Sequence, residues 1–130
     1  MEEKSRPRRV LVVDDDPHHN RIVGELLRHA GYEVDVAWNS AEAVRKNFDF
    51  RPDLVLLDVM MPRWSGHSAC AAMRCVDPSL PIVVVSAKTA PEDVGEGLGW
   101  GATRYLTKPF DPDELLGTVR ALLGSVPSKT

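Results

Sequence analysis

No apolar run in the 130-residue sequence approaches the roughly 18 residues that a membrane-spanning helix needs, so no membrane segment is expected. A secretory signal is also missing: Lys4, Arg6, Arg8 and Arg9 precede strand-like Val10 with no apolar stretch among them, which points to a cytoplasmic location. Cysteine is scarce. The two present, Cys70 and Cys75, lie five apart in one helical pattern and face different directions, which argues against a disulfide and for small packing residues. No His or Cys stands at zinc-ligand spacing, and His18, His19, His29 and His67 read as surface or loop residues. Positive charge is not in excess: 16 Lys and Arg against 19 Asp and Glu leave a net charge of -3, with no basic helix, so no direct contact with nucleic acid is expected. Repeats and low-complexity segments are absent. The length and composition fit one globular domain.

What is present is a regular alternation. Val10–Val13, Leu54–Leu57 and Ile82–Val85 are short apolar runs rich in β-branched or leucine residues, as in strands buried on both faces. Tyr32–Ala37 alternates apolar and polar residues like an edge strand, and Thr103–Leu106 is a further strand candidate. Asp16 before Pro17 starts a helix whose stripe is Ile22, Val23, Leu26, Leu27 and Ala30, with Gly31 at its stop. Asn39 and Glu42 form a capping-box start for a second helix that places Ala41, Val44 and Phe48 on one face. A third helix spans about 67–76 and a weaker one 91–100. The last begins at the Asp111–Pro112 cap, carries Leu115, Leu116, Val119, Leu122 and Leu123 inward, and ends at Gly124. Five strand–helix alternations predict a parallel sheet covered by helices on both faces.

The polar residues that follow the strands carry the chemistry. Asp14 and Asp15 follow the first run, Asp58 the third strand, Ser86 the fourth and Lys108 the fifth. In a parallel sheet these C-terminal ends share one rim, where open α/β folds bind ligands. Three carboxylates held together repel unless a cation neutralises them, and a hard ion with oxygen ligands, magnesium, suits the set. A carboxylate can attack phosphorus while a metal and a lysine share the developing charge, and the Ser86 hydroxyl can donate to a phosphoryl oxygen. Taken singly, each residue has an ordinary structural reading as cap, turn or solvated side chain. Their common position is what favours a site.

The sequence resembles the receiver domain of two-component response regulators from about Arg9 to Leu123. The carrying motifs are Val12–Asp16, Leu56–Pro62 with Gly66 beyond it, Ser86 before Ala87, and Leu106–Phe110. The resemblance implies a flavodoxin-like α/β sandwich with five parallel strands in the order 2-1-3-4-5 and five helices. It makes residues 1–8 an N-terminal tail, 9–124 the receiver domain and 125–130 a C-terminal tail or linker start. It implies Asp58 as phosphoacceptor, Lys108 and Ser86 as its catalytic partners, and Mg2+ held by Asp15 and Asp58 directly, Asp14 through water and the Met60 carbonyl. Ser86 and Tyr105 become the switch pair, and Lys108–Pro109 a cis peptide. The donor is a phosphohistidine on a sensor histidine kinase or phosphotransfer protein. The helix over 91–100, the fifth strand and the last helix form the face for a downstream protein, a fused effector domain or a second copy of the chain. Such a domain catalyses only its own phosphorylation and dephosphorylation and is not otherwise an enzyme. The family often has two acidic residues where Thr103 and Arg104 stand, and Gly95, Gly97 and Gly99 are unusual.

Three other readings compete. A magnesium-dependent phosphohydrolase would use Asp14 as nucleophile with Asp16, but leaves Asp58 without a task. A flavin mononucleotide carrier is disfavoured because the acidic loop repels phosphate. A non-phosphorylated interaction module is disfavoured by the complete acidic, hydroxyl and lysine set.

Overall fold

The computed structural model describes residues 7–58, 66–86 and 102–123. Five strands, β1 (Arg9–Val13), β2 (Glu33–Ala37), β3 (Leu54–Asp58), β4 (Ile82–Ser86) and β5 (Arg104–Thr107), form one sheet in the order β2-β1-β3-β4-β5. All pairings are parallel. The helices are α1 (Pro17–His29), α2 (Ser40–Phe50), α3 (Gly66–Val76) and α4 (Pro112–Leu123). The expected fold class and strand order stand. The helix expected over 91–100 lies outside the described residues.

The continuous apolar runs are explained by burial on both faces. Val10, Val12, Leu54, Leu56, Val83 and Val85 pack in one core with residues of α1 and α4. Their neighbours Leu11, Val13, Val55, Leu57 and Ile82 form a second core with residues of α2 and α3. Side chains alternate across a strand, so one short run supplies both layers. Register then aligns the strand ends: Val13 lies beside Ala37 and Leu57, Asp58 beside Val85, and Ser86 beside Thr107.

The predicted caps are present. Asp16 accepts from His18 N at 3.0 Å ahead of Pro17, and Gly31 takes φ 101° after α1. Asn39 accepts from Glu42 N at 2.7 Å. At α4, Asp111 Oδ1 accepts from Glu114 N at 2.8 Å while Glu114 Oε1 accepts from Asp111 N at 3.1 Å, a reciprocal capping box. Asp16→Ala, which strands a helix N-terminal donor, is expected to lower stability by about 1 kcal/mol in a urea titration. No measurable change would mean that water caps α1 equally well.

Two predicted helix faces need correction. On α1, Val23 and Leu27 are buried and Leu26 and Ala30 partly so, but Ile22 is 53% exposed. On α2 the buried positions are Ala43 and Asn47, while Phe48 is 62% exposed beneath the Arg51 guanidinium, 5.8 Å from its ring centroid. Both stripes satisfy helical periodicity. The small Ala43 allows close packing on the sheet, and Phe48 is turned about 100° per residue away from Asn47. Phe48→Ala is therefore expected to cost less than about 1 kcal/mol by denaturant titration, well below the 3–5 kcal/mol range typical of a core phenylalanine (roughly). Of the cysteines, Cys70 is buried and Cys75 exposed, both free; Cys75 is thus not the packing residue expected of it.

Candidate functional site

The rim residues come from loops that the sheet brings together. Asp14 follows β1, and its backbone N–H donates to Ala37 O at 3.0 Å, which continues the β1–β2 ladder by one residue. This seats its carboxylate below the surface, at 3% exposure. Its Oδ1 accepts from Asp16 N at 3.0 Å. Asn20, buried on α1, donates from Nδ2 to Asp14 O at 2.7 Å and fixes the same turn from the helix side. Asp58, the last residue of β3, is 5% exposed.

Lys108 reaches both carboxylates. Its Nζ lies 2.5 Å from Asp58 Oδ2 and 3.7 Å from Asp14 Oδ2. Its backbone N–H donates to Ser86 O at 2.8 Å, which holds the end of β5 to the end of β4. The Lys108–Pro109 peptide is cis, as expected. Ser86 is fully buried at the end of β4, and Tyr105 is half-buried on β5. Asp15 is exposed beside this cluster. Met60 lies outside the described residues.

The sequence reading missed His19. Placed on the first turns of α1, it is partly buried and hydrogen-bonds through Nδ1 to Asp14 Oδ2. Its ring also meets Phe110 edge-on, with centroids 6.1 Å apart. The available signal was its place: Asp16 caps α1, so a residue three positions later points back along the first turn toward the rim.

Electrostatics follow from these contacts. Burial pushes the Asp14 carboxyl up, but hydrogen bonds from the His19 ring and the Asp16 backbone, one with the Asp58 side chain, and the Lys108 charge outweigh it and hold it at about 2. Asp14 is thus an anion at neutral pH despite its burial. Ligating atoms of Asp14, His19 and Asp58 lie within 4.8 Å of one another. Buried carboxylate oxygens drawing cationic partners are a donor set that fits a divalent ion. The arrangement can hold such an ion and offer Asp58 to an electrophile with Lys108 against the same carboxylate.

The phosphohydrolase pattern is not assembled. Asp16, its second carboxylate, is exposed and engaged as the α1 cap.

Comparison with known proteins agrees with this geometry. The family described as the response regulator receiver domain matches residues 10–120. The DNA-binding response regulator MtrA of Mycolicibacterium smegmatis is 44% identical over 115 residues, covering 88% of this chain and 50% of that protein. The chain therefore spans about half the length of this relative. Among solved structures, the chemotaxis protein CheY4 of Vibrio cholerae is 36% identical with a TM-score of 0.85, covering 90% of this chain and 99% of that one. The receiver domain of the sensor histidine kinase PA1611 from Pseudomonas aeruginosa, with a magnesium ion coordinated in its active site cleft, is 30% identical with a TM-score of 0.83 and covers 92% and 100%.

One expectation falls here. The net charge of -3 predicted no direct contact with nucleic acid, yet MtrA is named as DNA-binding. Charge on one segment cannot report what a protein about twice its matched length binds. Among the described residues no helix is long and apolar enough to cross a membrane. With the strand order, the rim carboxylates and lysine, and a family match over most of its length, the chain belongs to the response regulator receiver domain family.

Proposed function

We propose that Asp58 accepts a phosphoryl group from a phosphohistidine on a sensor histidine kinase or phosphotransfer protein, with Mg2+ as the cofactor. The observation that carries this reading is the Lys108 ammonium 2.5 Å from the Asp58 carboxylate, at a rim also lined by buried Asp14. An Asp58 oxygen attacks phosphorus, the phosphorus–nitrogen bond of the donor breaks, and its electron pair stays on the imidazole. Lys108, already in place, balances charge on the phosphoryl oxygens as they leave the donor. Ser86, at the end of the adjacent strand, supplies a hydroxyl on the same rim. Asp14, Asp15, Asp58 and the Met60 carbonyl are the residues assigned to Mg2+, which when bound neutralises the carboxylates and the incoming phosphoryl group.

The chain on this reading modifies only itself and turns over no separate substrate. We place this role in the cytoplasm, within residues 9–124, with residues 1–8 as an N-terminal tail and 125–130 as a C-terminal tail or the start of a linker. Signal output is assigned to the 91–100 region together with β5 and α4, where movement of Ser86 toward the phosphoryl group lets Tyr105 turn inward. A downstream protein, a fused effector domain or a second copy would read that face.

Incubation with acetyl phosphate and Mg2+, followed by peptide mass spectrometry, tests the assignment. The modification is expected on Asp58 and is expected to vanish when the metal is chelated. A phosphoryl group on Asp14, or full modification without a divalent ion, would reject it.

A further inference from the structure

We infer that the hollow between the ends of α2 and α3 is a self-docking surface, through which a second copy of this chain binds about a two-fold axis. The contact is separate from the output face named above and lies at the other end of the sheet from the phosphoacceptor. Asp53, on the hollow, immediately precedes β3 and Asp58 ends it, so one strand length, roughly 16 Å, separates them.

Clustering of exposed apolar side chains is the first observation. Among the described residues the exposed large hydrophobics are Ile22, Trp38, Phe48 and Val76, and two of these, Phe48 at 62% and Val76 at 50%, border one hollow of about 500 Å³. Exposed apolar residues scattered singly need no account, whereas two around one concavity mark a contact surface. The second observation is shape: a projecting phenylalanine stands beside a hollow with room for one. In a two-fold arrangement each Phe48 enters the hollow of the other copy, so the α2 end of one copy meets the α3 end of the other.

Charge is the third, and it selects a second copy over a partner of one sign. Arg51 stands at the α2 end of the hollow and Asp77 at the α3 end. A surface with opposite signs at its two ends complements itself once turned by 180°, and each Arg51 then faces the partner's Asp77. The floor of the hollow is also incomplete in a single copy. Asn47 is 5% exposed, and its Nδ2 has no hydrogen-bond partner among the described residues. An unmet buried donor is costly, and the last turn of the other copy's α2 brings carbonyls that lack intrahelical partners.

A contact built on so few residues falls short of the roughly 20–30 a side of a standard complex, so the association is weak and concentration-dependent. Sedimentation equilibrium of the whole chain from about 10 μM to about 1 mM is the test. The parent is expected to show a monomer–dimer equilibrium in that range, the same in Asp58→Asn and after treatment with acetyl phosphate and Mg2+. Phe48→Ala is expected to raise the dissociation constant at least about tenfold. Arg51→Asp and Asp77→Arg should each raise it at least about fivefold, because like charges then face each other, while their equimolar mixture returns to within about threefold of the parent. Misfolding cannot produce that recovery, and at φ 55° Arg51 occupies a conformation that aspartate tolerates. A chain that stays monomeric to about 1 mM, a dimer indifferent to Phe48→Ala, or a mixture no tighter than its two components would overturn the inference. Dimerisation that requires acetyl phosphate would assign the contact to the output face and overturn it too. Loss of Asp58 phosphorylation with the dimer intact strikes only the phosphoacceptor reading.

Discussion

Asp58→Asn is expected to abolish phosphorylation by acetyl phosphate and by a phosphohistidine donor, to below about a hundredth of the parent rate. The amide keeps the size and most of the hydrogen-bonding capacity of the carboxylate but has no anionic oxygen to attack phosphorus. It also removes the ion pair with Lys108, leaving that ammonium only Asp14 at 3.7 Å among the described acidic partners. Phosphoryl incorporation followed by mass spectrometry, with circular dichroism to show that the variant is folded, provides the measurement. Comparable incorporation on Asp14 or Asp15 in the variant would show that the nucleophile had been misassigned.

Leu57→Ala is expected to have the largest effect on stability. Leu57 is fully buried on β3, one residue before Asp58, in the core shared with Leu11, Ile82 and Met73. Truncation removes apolar contacts and leaves a cavity that neighbouring strands cannot readily close, at a cost of about 2–5 kcal/mol. That is a large share of the roughly 5–15 kcal/mol typical of a whole domain. The denaturation midpoint should shift accordingly, and phosphorylation should weaken only where unfolding is measurable. A loss below about 1 kcal/mol would mean that this layer repacks freely, contrary to the burial on both sides of β3.

Strand pattern and caps were legible in the sequence because each is set locally. A short run buried on both faces must be continuously apolar, and a cap must place an oxygen within three residues of its donor, as Asp16, Asn39 and Asp111 do. The rim chemistry was legible for a related reason. In a parallel sheet, the residue after each strand has a known side of the molecule, so Asp14, Asp58, Ser86 and Lys108 could be grouped without coordinates.

Helix rotation was not local in this sense. Two overlapping stripes on α2 both fit a period of 3.6, and only docking against the sheet selects Ala43 and Asn47 over Phe48. His19 was hidden for the same reason: its partner Asp14 is five residues away, but their contact depends on how the turn after β1 joins α1 and on where Phe110 falls. The order of elements, their caps and the residues delivered to the rim follow from short-range periodicity and chain direction, so they can be read along the chain. Which face each helix buries and which polar atoms meet depend on packing between segments far apart in the chain, so they emerge with the assembled fold.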